Sequence, residues 1–231
     1  MAELDVSSAA RRLRVHPSRV RALLLAGDLK GRKLGGRWLV DAYASDERAR
    51  AASPDGRAFS PRRAWGLIAV LSGEDAPWLD PSARSRLRAR LARGPVERLL
   101  PRLRRRAEVH YLRAAPAALK KIRAAKGFIP SGVSAASVYD AAILAPEQVE
   151  GYIGARQLRE LQYRLALESV DPPAANVVFR VAAFPRALKG RRVAPPGAVA
   201  VDLMDSPDQR SRRAGGELGE RLRRDRSQAG R

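Results

Sequence analysis

The chain has 231 residues, of which 45% are hydrophobic and 30% are charged, as expected for a globular protein of one large or two small domains. It contains no cysteine, which excludes disulfides, thiolate metal sites and a cysteine nucleophile. Lysine and arginine number 45 against 24 acidic residues, and the formal net charge of +21 is expected to attract polyanions.

The sequence predicts no membrane segment. Its longest apolar runs, such as 65–71, are far shorter than the roughly 18 residues that span a bilayer. Residues 1–6 are acidic and lead directly into a helical pattern, unlike the basic and then apolar start of a secretory signal. We therefore expect a cytoplasmic protein.

Two short helices are predicted at the beginning of the chain. Asp5 is a helix cap, and the apolar residues after it recur at helical spacing until the helix ends near Arg14. A second helix begins at His16 or Ser18, with Pro17 in its first turn, and ends at Gly27. Two helices joined by a tight turn predict a helix-turn-helix, in which residues 20 and 23–25 form the apolar stripe of the second helix.

A β-hairpin is predicted directly after these helices. Residues 29–33 and 37–40 are short extended runs, and Gly35 and Gly36 between them favour the positive φ angles of a tight turn. Such a hairpin is typical of the wing of a winged domain. We expect Trp38 to pack beneath it rather than contact a base.

The second helix carries the side chains that we expect to read DNA. Ser18, Arg19 and Arg21 lie near its start, and arginine binds O6 and N7 of guanine with two hydrogen bonds. The alternative is an ordinary solvated helix face. Contacts to the DNA backbone are predicted for residues in the turn and the wing, namely Arg14, His16, Arg32, Lys33 and Arg37.

The segments 4–10, 13–21, 27–29 and 35–38 together resemble the excisionase-type, MerR-like winged helix-turn-helix family over about the first 45 residues. The resemblance implies sequence-selective DNA binding by the second helix and the wing. Two positions depart from the family pattern. Arg14 stands where the family usually has glycine, and Ser8 replaces a common acidic residue.

The remainder predicts a second, larger domain. Residues 1–52 form the winged domain, 53–60 a turn-rich linker, 61–222 a helical α+β domain and 223–231 a frayed basic tail. Helices are predicted over 61–71, from 81 or 82 to 100 with an interruption at Pro95, over 118–125, and within 135–144, 146–153, 155–169 and 206–222. Strands are predicted at 177–181 and 198–203. The fold class is mainly α with small β elements.

Basic residues are concentrated between positions 81 and 126. This segment holds 15 lysines and arginines but only two acidic residues, Glu97 and Glu108. A GC-rich genome raises the arginine content of its proteins without selection for binding, and this is one explanation. It does not account for the scarcity of acidic residues in this segment. We predict an auxiliary DNA-contacting surface comprising Arg84, Arg88, Arg98, Arg102, Arg104, Arg105, Arg106, Lys120, Lys121 and Arg123.

Residues 199–215 resemble the C-terminal end of AbiEi-type antitoxins of type IV toxin-antitoxin systems. In that family an N-terminal DNA-binding domain represses its own operon, and the remaining domain acts as antitoxin beside a nucleotidyltransferase toxin. The resemblance therefore implies autoregulation and such a toxin as partner. The N-terminal domain of this chain differs in sequence from the usual one of that family.

The sequence offers few groups for catalysis. His16 and His110 are the only histidines, too few for a three-histidine metal site. Asp202, Asp205 and Asp208 are better explained by a strand end and a helix N-terminus. No phosphate-binding loop pattern is present. We predict no enzymatic activity, no metal and no cofactor.

The function predicted is a sequence-specific regulator that binds double-stranded DNA, in its most specific form an autoregulating antitoxin. The first alternative is a protein-interaction or toxin-neutralising module in which the helix-turn-helix is only an anchor. The second is an enzyme acting on nucleic acid, which the scarcity of catalytic groups disfavours.

Overall fold

The computed structural model describes residues 3–51 and 58–229. The chain divides into two compact units, Met1–Gly56 and Arg57–Arg231. Most of the predicted linker, residues 53–57, lies outside the described residues, as do residues 230 and 231 of the predicted tail.

The smaller unit combines helices with a three-stranded antiparallel sheet. Its elements are β1 (Glu3–Asp5), α1 (Val6–Leu13), α2 (Pro17–Leu25), β2 (Gly31–Leu34), β3 (Arg37–Asp41) and α3 (Ala42–Ala51). The strand order is β1-β3-β2, so β1, which the sequence did not predict, pairs with the hairpin through Leu4 and Val40. Helix α3 was not predicted either. Asp41 caps it by accepting a hydrogen bond of 2.9 Å from the amide of Ala44.

Local signals in the sequence explain the ends of α1 and α2. Asp5 accepts from the amide of Ser8 at 2.7 Å, and Nδ1 of His16 accepts from the amide of Ser18 at 3.3 Å. Gly35 and Gly36 both have positive φ angles, 54° and 79°, in the predicted hairpin turn. The two predicted helices and the hairpin are confirmed, and the partly buried Trp38 packs against the core of this unit, as predicted. They enclose a small apolar core of Ala9, Ala10, Leu13, Val20, Leu23, Leu24, Leu29 and Val40.

The larger unit is built on a five-stranded mixed sheet. Its helices are α4 (Pro61–Leu71), α5 (Pro81–Ala92), α6 (Leu100–Leu103), α7 (Pro116–Arg123), α8 (Ala155–Arg164), α9 (Pro196–Met204) and α10 (Gln209–Ala229). Its strands are β4 (Ala107–Arg113), β5 (Ile129–Pro130), β6 (Val149–Tyr152), β7 (Glu168–Ser169) and β8 (Val177–Ala182), in the order β5-β6-β8-β4-β7. β6 and β8 are parallel and the other pairs are antiparallel.

Both faces of this sheet carry apolar side chains. Successive side chains of a strand point to opposite faces, and the apolar residues of the strands divide between two clusters. Val149 and Phe179 pack with α7 and α8 in one cluster. Tyr152 lies three residues after Val149 on β6, so its side chain points to the opposite face of the sheet. There it packs with Trp65 of α4 and Val199 of α9 in the other cluster. The larger unit therefore has helices on either side of its sheet.

Several predicted elements of the larger unit were wrong. Residues 198–203 form part of helix α9 rather than a strand, and 149–152, predicted as helix, form strand β6. A continuous buried apolar run fits either structure, and every residue from Gly197 to Met204 is buried. Within 135–144 only the short 3₁₀ helix Ala136–Tyr139 forms.

The ends of two helices also differ from the prediction. The interruption predicted at Pro95 is confirmed: α5 ends at Ala92, Gly94 and Pro95 follow it, and Val96–Leu99 form a separate 3₁₀ helix instead of continuing α5 to residue 100. Helix α10 continues to Ala229, beyond the predicted end at Leu222, so residues 223–229 are helical rather than frayed. The strand at 177–181 is confirmed.

Candidate nucleic-acid interface

Helix α2 presents polar side chains on the surface opposite its core contacts. Val20, Leu23 and Leu24 are buried against the rest of the unit, whereas Arg19 and Arg21 are exposed. Each residue turns a helix by about 100°, so Arg21 shares a face with Ser18, and Arg19 lies to one side of it. Arg19 and Arg21 are two positions apart, about 160° around the helix, so they flank the exposed face from its two edges.

Ser18 is engaged within the helix start. Its Oγ lies 2.8 Å from Nδ1 of His16, and its amide donates to the same nitrogen. His16 and Ser18 therefore hold each other and fix the first turn of α2. Ser18 is therefore a weaker candidate for a contact outside the protein than Arg19 and Arg21.

Arg14 occupies the turn between α1 and α2 in the left-handed conformation, with φ 55° and ψ 41°. Its amide donates to the carbonyls of Ala10 and Arg11 and so closes α1. A glycine reaches this conformation at lower cost. The turn thus has the backbone that glycine favours, while the exposed side chain adds a positive charge beside the start of α2.

The predicted wing residues differ in how much of their charge is already paired. Arg32 donates from Nε and one terminal nitrogen to the carboxylate of Glu3, at 2.7 and 3.0 Å, and this contact lowers the pKa of Glu3. Lys33 and Arg37, exposed beside the hairpin turn, form no ion pair among the described residues. Arg32 is therefore the weaker candidate for a phosphate contact.

Leu25 was missed as a surface residue. It was assigned to the apolar stripe of α2, but it is 77% exposed. It follows Arg21 by four residues, and that spacing alone would have placed it on the face of Arg21 rather than on the face of the core. An exposed apolar side chain at this place can contact the methyl group of thymine.

The auxiliary basic residues of the larger unit fall into three groups. Seven are exposed: Arg88, Arg98, Arg104, Arg105, Lys120, Lys121 and Arg123. Arg84 pairs with Asp75 at 3.4 Å, and Arg102 lies partly buried against the ring of Phe59. The third group is Arg106, whose surface placement was wrong.

Arg106 is 2% exposed and belongs to a buried ionic network around Asp202. One terminal nitrogen of Arg106 lies 2.9 Å from Asp202 and 2.7 Å from Asp205. On the other side of Asp202, Nε of Arg180 lies 3.2 Å from the same carboxylate oxygen. Arg180 also pairs with the buried Glu150. The guanidinium of Arg106 is therefore unavailable to DNA.

Hydroxyl groups complete the network. Ser131 donates to Asp202 at 2.5 Å and Tyr152 donates to it at 3.1 Å, so the carboxylate is held from several sides. Burial raises the pKa of Tyr152 and that of Glu150, although Arg180 opposes the shift at Glu150. The strand-end explanation of Asp202 was wrong, since this residue lies inside α9. Its contacts are those of a structural centre that joins α9 to the sheet.

Asp208 has the role that the sequence predicted. It accepts from the amide of Ser211 at 2.7 Å, at the start of α10. Asp205 instead follows the end of α9 and pairs with Arg106.

Across residues 3–51 and 58–229, no group of three or more metal-ligating side chains comes together. In the same ranges, none of the helices has the length and apolar character needed to cross a bilayer. A scan of protein-family models found no match to this chain, and searches of curated proteins and of solved structures found none either.

Proposed function

We propose that the protein is a sequence-specific regulator that binds double-stranded DNA through a winged helix-turn-helix in its smaller unit. The observation that carries this proposal is the exposed pair Arg19 and Arg21 on a helix whose opposite side is buried. A recognition helix must present polar side chains from its first turns while its apolar side holds it in place.

The charge of the segment that holds both helices and the hairpin supports the same function, although residues 1–56 as a whole contain 11 lysines and arginines against seven acidic residues. Between residues 6 and 40 there are nine lysines and arginines and one acidic residue, Asp28. In the proposed complex, α2 enters the major groove, Arg21 and Arg19 bind guanine edges, and Lys33 and Arg37 bind phosphates of the backbone. The phosphate contacts supply affinity, and the base contacts supply the choice of site.

Arg21→Ala tests the base-reading role. We expect this substitution to weaken binding to the specific site by about 1–3 kcal/mol, because the two hydrogen bonds to guanine are lost. Binding to random DNA should change little. The measurement is fluorescence anisotropy with a fragment of the protein's own promoter, chosen by footprinting, and with a random duplex of equal length.

Arg11→Ala is the matched control for this experiment. Arg11 is an exposed arginine of α1 rather than of the predicted reading helix, and its guanidinium donates to Oγ of Ser8 at 3.0 Å. It should change specific and random binding by the same factor. If Arg21→Ala also lowers both affinities equally, Arg21 contacts phosphate only and the base-reading role is wrong.

Removing charge from the larger unit is expected to act differently. Arg104 and Arg105 are exposed, and each phosphate contact contributes about 0.9 to the slope of log affinity against log salt. The double variant Arg104→Gln/Arg105→Gln should therefore bind all sequences more weakly and flatten that slope by up to about 1.8. Titrations at several salt concentrations measure it.

The control for the salt dependence is Arg210→Gln/Arg213→Gln, which removes the same charge from the exposed start of α10. It should leave the slope nearly unchanged. An unchanged slope in the Arg104/Arg105 variant would place that segment away from DNA, and the auxiliary surface would be rejected.

Autoregulation as an antitoxin is the narrower form of this proposal and is based on the AbiEi-like residues 199–215. It requires that the footprint lie on the protein's own promoter. A footprint at unrelated promoters only would retain the DNA-binding function and reject the autoregulation.

A further inference from the structure

The larger unit contains a pocket of about 350 Å³ whose wall is dominated by arginine. Five arginines line it together with Phe59, Leu87 and Ala89. The arginines are Arg63, Arg86, Arg90, Arg93 and Arg102. The residues of its wall include no aspartate or glutamate. The pocket therefore has a concentrated positive charge.

Three separate elements bring these arginines together. Arg86, Arg90 and Arg93 follow one another at steps of four and three residues, so they lie along one side of α5 and its C-terminal end. Arg63 comes from the first turn of α4, and Arg102 from α6. The amide of Phe59 donates to the carbonyl of Arg102 at 2.9 Å, which ties the segment before α4 to α6.

The buried ring of Phe59 orients two of the guanidiniums. The central carbons of Arg63 and Arg102 lie 5.5 and 5.4 Å from the centre of this ring, within the range of cation–π contacts. Phe59 is only 7% exposed, so these stacked arginines are supported from the core. Supported side chains lose less conformational entropy when a ligand binds.

Asp80, at the start of α5, supplies a counter-charge near Arg86, since hydrogen bonds from Ser82 and Ala83 and the charge of Arg86 lower its pKa. Among the described residues, no ion pair involves Arg63, Arg86, Arg90 or Arg93. Within residues 58–229, Nε of Arg63 is buried and has no hydrogen-bond partner. This side chain is therefore held by its packing on the ring of Phe59 rather than by a hydrogen bond from Nε.

The size and charge of the pocket select the class of ligand. Its volume is at the lower end of the range of about 300–1,000 Å³ for small-molecule sites. Guanidinium groups bind phosphate oxygens as bidentate forks. One phosphate offers too few oxygens for five guanidiniums, whereas adjacent phosphates of one compact ligand offer enough. Phosphates of a duplex are spaced along a wide rod, so the pocket admits few of them.

We propose that this arginine pocket binds the polyphosphate group of a small molecule, such as the diphosphate of a nucleotide. This site is formed by residues of the larger unit alone, and it does not depend on the function proposed for the smaller unit. Through it, the larger unit would bind a phosphorylated effector.

Titration calorimetry of the full chain with inorganic pyrophosphate tests the proposal. The salt concentration is about 0.15 M, because this ionic strength screens the attraction of exposed surface charges. We expect saturable binding that Arg90→Gln and Arg63→Gln each weaken at least tenfold. Arg88→Gln is the matched control, because Arg88 lies on the same helix, is exposed and does not line the pocket. It should weaken binding less than twofold. Thermal unfolding without ligand verifies that all three variants fold.

Three results would overturn the proposal. The first is the absence of pyrophosphate binding, and the second is an equal loss in Arg88→Gln, which would mean diffuse attraction. In the third, the unchanged protein does not bind pyrophosphate and Arg90→Gln loses affinity for the promoter duplex. That result would mean that the arginines contact DNA phosphates. A failure of specific DNA binding alone, with pyrophosphate binding intact, would reject only the function proposed for the smaller unit.

Discussion

Asp202→Asn is expected to lower the free energy of unfolding of the larger unit by about 3–5 kcal/mol. The substitution keeps the shape of the side chain but removes the negative charge that faces both Arg106 and Arg180. Two buried cations would then share fewer counter-charges, and the cost of an uncompensated buried charge is large. Urea denaturation followed by circular dichroism measures the loss. Hydrogen exchange at the amides of β6 and β8 assigns it to the larger unit.

Asp225→Asn is the matched control for Asp202→Asn. Asp225 is an exposed residue of α10, so removing its charge should change stability by no more than about 0.5 kcal/mol. A loss below about 1 kcal/mol in Asp202→Asn would contradict the view that this network joins α9 to the sheet.

Gly215→Val is expected to destabilise the larger unit by about 3 kcal/mol or more, because the backbone of α9 lies directly against α10 at this residue. A Cβ atom at position 215 would lie 2.6 Å from the amide nitrogen of Met204 and 2.8 Å from the carbonyl oxygen of Ala200. Both are backbone atoms, so the helices would have to move apart. Thermal or urea unfolding of the purified variant measures the effect.

Gly219→Ala is the control on the same helix. A Cβ at position 219 would meet Met204 and Val96 at 3.4 Å or more, which is ordinary van der Waals contact. Alanine is favoured over glycine inside a helix by about 1 kcal/mol, so this variant should be neutral or more stable. If Gly215→Val is as stable as the unchanged protein, the close approach of α9 and α10 is wrong.

The smaller unit was largely predictable because its signals are local. Asp5, His16 and Pro17 mark helix starts, and the two glycines of the hairpin fix its turn. Strand β1 was missed because three residues carry too little pattern and depend on pairing with β3. Leu25 was misplaced because an apolar residue next to two buried leucines was assigned to the same side of the helix.

The basic segment shows how far composition alone can lead. Its excess of arginine is evident from the sequence, but from α5 the predicted auxiliary DNA-contacting surface takes Arg84 and Arg88. The arginines of α5 that line the pocket are Arg86 and Arg90, each two positions after one of the predicted residues. Both pairs have helical spacing, and the choice between them depends on Phe59 and Arg102, which other elements bring to α5.

The sequence by itself determined the helix pair, the hairpin, the strong positive charge and the lack of cysteine chemistry, since each depends on residue type or on neighbours a few positions apart. Only the tertiary structure decided that Arg106 is internal, that residues 198–203 are helical and that five arginines share one pocket. Arg106 and Asp202 are 96 positions apart. A charged side chain is buried only where a partner compensates its charge, and here that partner is distant in the sequence. An apolar run becomes helix or strand according to the surfaces that enclose it.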